Sequence, residues 1–217
     1  TGPALLPLSP PGLQTMCFSR AKRMCLRVES LCREILPRNY LTSDPLGQRW
    51  VADSIPIAKA MGVRVVLLPF FGKGALETTA EMDKVGDILK EIAPAAEKAG
   101  VILGLEDTNS ASDNLRIMDR TKSSAVLTYY DVGNSTKNGF DVVEEIRWLG
   151  GARIGEVHLK DKPHYLGEGS IDFKAVIGAL PESGFGGGAR LDTDPPVSVA
   201  ADSPRTRTST RGPIGAR

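Results

Sequence analysis

Two patterns alternate along this chain between about residues 38 and 195, and their alternation restricts the possible folds more than any other feature. Short β-branched or leucine-rich runs recur as VRVVLLPFF (63–71), GVILGLED (100–107), AVLTYYDVGN (125–134), RIGEVHLKD (153–161) and ARLDTD (189–194). Each is long enough and apolar enough for a strand covered on both faces. Helical stretches separate them. The clearest opens with a capping box, Thr78 and Glu81, and runs Met82, Val85, Ile88, Leu89, Ile92 and Ala96 along one face. It stops at Gly100, with a kink expected at Pro94. A second begins at Asp141, with Glu144 at the box position, turns Val142, Val143, Ile146 and Leu149 inward and ends at Gly150. Residues 43–62 offer Asp44 as cap, Pro45 at the first helical position and Gly62 as the stop, and residues 171–184 read alike.

Strand-helix alternation implies a parallel sheet with right-handed crossovers, either closed into a barrel or wound on both sides. The strand ends near residues 70, 106, 131, 158 and 192 lie 36, 25, 27 and 34 residues apart. Eight units sharing about 250 residues would each take roughly 31. No G-x-G-x-x-G follows a strand, which a doubly wound nucleotide-binding sheet would favour. The reading is an α/β, (β/α)8 TIM-barrel-like fold.

In such barrels the chemistry sits at the C-terminal ends of the strands. Here Glu106 and Asp107 follow VILGL, Asp131 and Asn134 follow VLTYY, His158 and Lys160 follow IGEV, and Asp192 follows ARL. Singly, each has an ordinary explanation: a solvated acid, a turn initiator at Asp131, a hydrogen-bonded rim histidine. Together they make a set of carboxylate oxygens and one imidazole, suited to one Mn²⁺, Mg²⁺, Co²⁺ or Zn²⁺ with positions left open, and unsuited to a closed structural zinc. Lys160 and Asp161 are read either as an exposed ion pair or with Lys160 on the same strand face as His158, in the mouth. Glu168, between two glycines in YLGEGSIDF, belongs either to a turn before an Asp172 or Ser170 helix cap or to a loop that closes on substrate.

Composition excludes several classes. Lysine and arginine number 27 against 26 acids, so no net charge marks a nucleic-acid or membrane partner, although both ends are basic. Cys17, Cys25 and Cys32 contain no Cys-x-x-Cys and are odd in number, which suits reduced thiols in or near a helix. No apolar run reaches membrane-span length, and the proline-broken opening lacks a basic start, so a cytoplasmic location is the default expectation.

GLEDTN, YYDVGNS, VHLKD, LGEGSIDF and the late LDT resemble the xylose isomerase-like TIM-barrel family, in particular its tagatose/psicose 3-epimerases, hydroxypyruvate isomerases and pentulose-5-phosphate 3-epimerases. The resemblance covers about residues 38–195. It implies that Glu106, Asp131, His158 and Asp192 bind one divalent metal, that Glu106 and Asp192 move the proton, and that Lys160, Asn134, Glu168 and Asn109 contact substrate. The implied reaction is isomerisation or epimerisation of a ketose or ketose phosphate through a cis-enediolate. The implied partner is a small sugar, with a homo-oligomer possible.

Two departures from the family pattern stand out. Asp192 occupies the place of the family's last glutamate and is one methylene shorter. The ends also differ: residues 1–37 read as atypical, with Tyr40 as the end of a third strand, and 196–217 as a disordered basic tail rich in arginine and poor in apolar residues. The first two βα units and the last helix are therefore expected to be missing or altered, leaving open edges at the third and eighth strands. Two alternatives follow: an inactive remnant of the family that binds a sugar, and the DNA-repair endonuclease branch, whose several zinc-binding histidines are hard to supply from His158 and His164 alone.

Overall fold

A computed structural model describes residues 6–32, 36–161 and 163–192. The expected tail, 196–217, lies outside the described residues. The chain divides into two compact units, one running to Asp107 and including Ser112–Thr128, the other comprising Thr108–Ala111 and the chain from Tyr129.

The first unit begins with α1 (Pro11–Arg23), a helix that buries none of its residues, followed by the short strand β1 (Ser30–Cys32). β1 lies upstream of the strand expected to end at Tyr40. Instead, the Tyr40 carbonyl accepts the N–H groups of Ser43 and Asp44, forming a turn into the next helix. That helix, α2 (Pro45–Ala60), carries the expected Asp44 cap on the Leu46 N–H, and Gly62 follows at φ +58°. Cys17, Cys25 and Cys32 are free thiols.

β2 (Val65–Pro69) and β3 (Ile102–Glu106) are buried at every residue, as strands covered on both faces must be. Between them α3 (Thr79–Ala99) has its complete capping box, with the Thr78 hydroxyl on the Glu81 N–H and the Glu81 carboxylate on the Thr78 N–H. The helix continues unbroken through Pro94 and ends at Gly100 in the left-handed region, φ +69°. Met82, Val85, Leu89 and Ala96 are buried as expected. Ile88 and Ile92 are only half-buried, because Gly86 and Ala93 complete the inner face instead. α4 (Ala111–Thr121) follows β3 and leads to β4 (Val126–Asp131).

β4 runs from the first unit into the second. The second unit continues with α5 (Val132–Lys137), α6 (Val142–Leu149), β5 (Ile154–Leu159), α7 (Phe173–Glu182) and β6 (Gly188–Leu191). Asp141 caps α6 through the N–H groups of Val143 and Glu144, and Asp172 caps α7 through that of Ala175. Val142, Ile146 and Leu149 are buried, whereas Val143 is half-buried.

The sheet order is β1-β2-β3-β4-β5-β6, following the chain. β1–β2, β2–β3, β3–β4 and β5–β6 pair in parallel. A doubly wound sheet reverses its order at a switch point, so this unbroken sequence is the barrel type of winding. β1 and β6, at the two ends of the order, are the strands with exposed residues. Among the described residues no helix is long and apolar enough to cross a membrane.

Candidate active site

In YYDVGNS the chain changes from strand to helix at Asp131, where the sequence places the strand end. Asp131 ends β4 and caps α5, with its Oδ1 accepting the Asn134 N–H at 2.9 Å. That bond satisfies one of the donors a helix start leaves open. The other oxygen, Oδ2, lies 3.5 Å from His158 Nδ1 and 3.3 Å from Lys160 Nζ. The Asp131 side chain is 1% exposed. Burial alone would raise its pKa, but the His158 hydrogen bond, the Lys160 charge and the Asn134 N–H outweigh it and hold the carboxyl below its ordinary range. Asp131 is therefore a carboxylate at neutral pH.

His158 is inward in β5, 6% exposed, and the Tyr129 ring meets it edge-on with centroids 4.6 Å apart at 71°. Lys160 leaves the strand end and reaches two carboxylates, Asp131 Oδ2 and, at 3.1 Å, Asp192 Oδ2. Burial pulls its ammonium pKa down, yet Asp131 and Asp192 push harder and raise it above the usual lysine value. The second carboxylate is placed by register. Leu159 faces Leu191 across β5–β6, and the Asp192 N–H donates to the Leu159 carbonyl at 3.0 Å, which sets Asp192 beside Lys160.

Glycine 133 has a steric reason. A Cβ there would stand 2.9 Å from the Lys160 carbonyl oxygen and 3.1 Å from its Cβ and Cγ. The first turn of α5 thus lies directly on the Lys160 backbone, and only glycine leaves room for it.

Glu106 ends β3 in the first unit, 6% exposed, and its carbonyl accepts the Phe70 N–H at 2.8 Å. Beside it, Asp107 accepts a hydrogen bond from Asn114 Nδ2 at 3.0 Å. Glu106 is buried in the first unit, and Asp131 and His158 are buried in the second; their carboxylate oxygens and imidazole nitrogen are donors of the kinds that ligate metal ions. That donor set fits a divalent cation with open positions. The Asp192 carboxylate engages Lys160. Asn134 is half-buried in the first turn of α5, Asn109 is half-buried in the loop after β3, and Glu168 is exposed on the loop after β5.

Three contributors escaped the sequence reading. Asp161 is not an exposed salt-bridge partner but a buried carboxylate, 5% exposed, that accepts backbone N–H groups. Tyr129 had no polar-motif signal, being one of two adjacent tyrosines in an apolar run. Gly133 had one, since a glycine at a strand-helix joint marks a close backbone approach.

Residues 19–206 match the family model described as xylose isomerase-like TIM barrel. L-ribulose-5-phosphate 3-epimerase UlaE of Shigella flexneri is 29% identical over 201 residues, covering 81% of this chain and 70% of that protein. L-ribulose 3-epimerase of Mesorhizobium japonicum is 32% identical over 106 residues, 45% of this chain and 35% of that one. Among solved structures, an L-ribulose 3-epimerase superposes with TM-score 0.71 at 20% identity, covering all of this chain and 76% of the other. D-psicose 3-epimerase from Clostridium cellulolyticum H10 gives TM-score 0.74 at 15% identity, over 91% of this chain and 74% of its own, a likeness of fold. With strand-end residues of this kind on a chain-ordered parallel sheet, and a family match spanning most of its length, the chain belongs to the xylose isomerase-like TIM-barrel family.

Proposed function

We propose that this chain is a divalent-metal-dependent 3-epimerase of a ketopentose of the ribulose type, free or phosphorylated. The observation that carries the proposal is the buried, ionised Asp131 with His158 and Lys160 on one of its oxygens, at the strand ends where this fold places its chemistry. The names of the similar proteins supply the substrate class.

Glu106, Asp131 and His158 would hold the ion, with Asp192 either completing the set or staying with Lys160. When bound, the ion supplies the positive charge that makes the C–H beside a ketose carbonyl acidic enough for a carboxylate to remove. Glu106 takes the proton from C3, leaving its electron pair in a cis-enediolate. Asp192, after taking up a proton from water, delivers it to the opposite face of the same carbon, and Glu106 releases the proton it took to water, so no protons or electrons are gained or lost overall. Delivery to the neighbouring carbon would isomerise the sugar instead, and the position of Asp192 decides between the two. Lys160, held by two carboxylates, donates to a substrate oxygen without needing to reorient. Asn134, Asn109 and Glu168 supply further contacts to sugar hydroxyls. Tyr129 packs on the His158 ring and fixes its orientation.

The test is calorimetric Mn²⁺ titration of the chain and of His158→Ala, followed by incubation of L-ribulose and L-ribulose 5-phosphate in D₂O. One ion per chain, lost in the variant, with deuterium entering at C3 is the expected result. A folded chain that binds no Mn²⁺ refutes the proposal, while Mn²⁺ binding without deuterium uptake identifies an inactive remnant of the family.

A further inference from the structure

The reading above makes no use of Asp161, yet this buried residue organises the whole segment that follows β5. Its backbone carbonyl accepts the His164 N–H at 2.7 Å. A single carboxylate oxygen, Oδ2, accepts the N–H groups of Gly167 and Gly169, each at 2.9 Å. The Glu168 N–H closes a turn on the Tyr165 carbonyl at 2.9 Å. Gly167 is at φ +85°, a conformation that side chains disfavour, and a Cβ on Gly169 would run into the Asp161 carboxylate. Leu166, 7% exposed, adds an apolar anchor. The sequence LGEG is thus a surface loop whose two glycines let its backbone wrap one carboxylate. Charge-assisted bonds of this kind are the strong ones.

We infer that Asp161 is a positioning residue that fixes segment 163–169 as a rigid wall of the sugar site, so that the loop contributes to substrate affinity as a preformed surface. The placement follows from the fold: the loop leaves from Lys160 and Asp161, and in this architecture the loops after the strands build the binding site. A preformed loop avoids the ordering cost that a mobile one incurs when substrate arrives. The sugar-facing part of the inference rests on the proposed epimerase activity; the clamp itself does not.

The experiment compares the full chain with Asp161→Ala, Asp161→Asn and Gly169→Ala. Amide hydrogen exchange is read by mass spectrometry on peptides covering 163–170 and, as an internal control, α3. Binding of L-ribulose and L-ribulose 5-phosphate is read by calorimetry with Mn²⁺ present. In Asp161→Ala, which removes the charged acceptor of two N–H groups, exchange in the loop peptide is expected to rise about 100-fold and sugar Kd about tenfold, with α3 and Mn²⁺ affinity unchanged. Asp161→Asn keeps a carbonyl oxygen for both N–H groups and is expected to restore most of both. Should Asp161→Ala fail to fold, Gly169→Ala, whose methyl group displaces the carboxylate, gives the same loop-confined rise. Unchanged loop exchange overturns the clamp. Faster exchange with unchanged sugar affinity, or a wild-type chain that binds Mn²⁺ but neither sugar, overturns the sugar-facing role. A chain that binds no Mn²⁺ refutes the proposed function and leaves the exchange result standing.

Discussion

Adding one methyl group at Gly133 and the same methyl group at Gly178 should move stability in opposite directions. Both glycines lie in helices of the second unit, α5 and α7, where alanine is intrinsically favoured by up to about 1 kcal/mol. At Gly178 a Cβ meets nothing within 4 Å, so the intrinsic gain of about 0.5–1 kcal/mol is realised. At Gly133 the new Cβ would stand 2.9 Å from the Lys160 carbonyl oxygen and 3.1 Å from two of its side-chain carbons. That oxygen belongs to backbone at the end of β5 and yields far less easily than a flexible side-chain tip. Overpacking of this kind costs about 1–3 kcal/mol, which after the helix gain leaves Gly133→Ala destabilised by about 1–2 kcal/mol. For a chain of this size each kcal/mol moves Tm by roughly 2–4 °C, so Gly133→Ala should melt about 2–8 °C lower and Gly178→Ala about 1–4 °C higher. Thermal unfolding followed by circular dichroism, with urea titrations to check that m is unchanged, measures both. A Gly133→Ala chain that melts at or above the parent would refute the argument, because it would show that α5 does not bear on the Lys160 backbone.

Three other outcomes are expected. Thr78→Ala removes the hydroxyl that caps α3 on the Glu81 N–H and should cost about 1 kcal/mol, a Tm fall of roughly 2–4 °C. Leu89→Ala empties a fully buried position on the inner face of α3 and should cost about 2–5 kcal/mol, seen as a lower urea midpoint with m unchanged. Asp83 is held below the ordinary carboxylate pKa chiefly by its hydrogen bonds from Arg116. A lowered folded-state pKa gives stability that is present above the unfolded value of about 3.9 and is lost as pH falls further. Asp83→Asn should therefore flatten the acid limb of the stability–pH curve below about pH 4 and leave its shape at neutral pH unchanged.

What the sequence revealed follows from which physical signals are local. α3 was legible at both ends because its cap, box and terminal glycine each act within a few residues. α4 was not, because its buried face alternates apolar with polar residues. Ala111, Ile117 and Met118 share it with Asn114, which bonds Asp107, and Thr121, which bonds the Met118 carbonyl. A hydropathy pattern treats Asn114 and Thr121 as exposed, and only their tertiary and turn partners explain their burial. At the DVGN joint the strand end and a turn at Asp131 were readable, but the short helix that the turn opens was not. Asp131 continues an apolar run, and its capping bond to Asn134 decides where the strand ends. Of the candidate site, the residue types and their strand-end positions were readable. The pairings were not: Asp192 on Lys160 depends on the β5–β6 register, and the Asp161 loop clamp depends on two glycines whose backbone N–H groups leave no mark in composition.

The ammonium of Lys160, shared between Asp131 and Asp192, has a consequence for how this part of the chain can exist without help. Two acids brought together would repel, and a fold that relied on an added cation to neutralise them would gain its structure only when that cation was supplied. Here the chain carries its own counter-ion, attached to β5 by a four-carbon arm and seated before any solute arrives. The repulsion within this pair is thus relieved by the polypeptide itself, one of the two negative charges being offset by its own lysine.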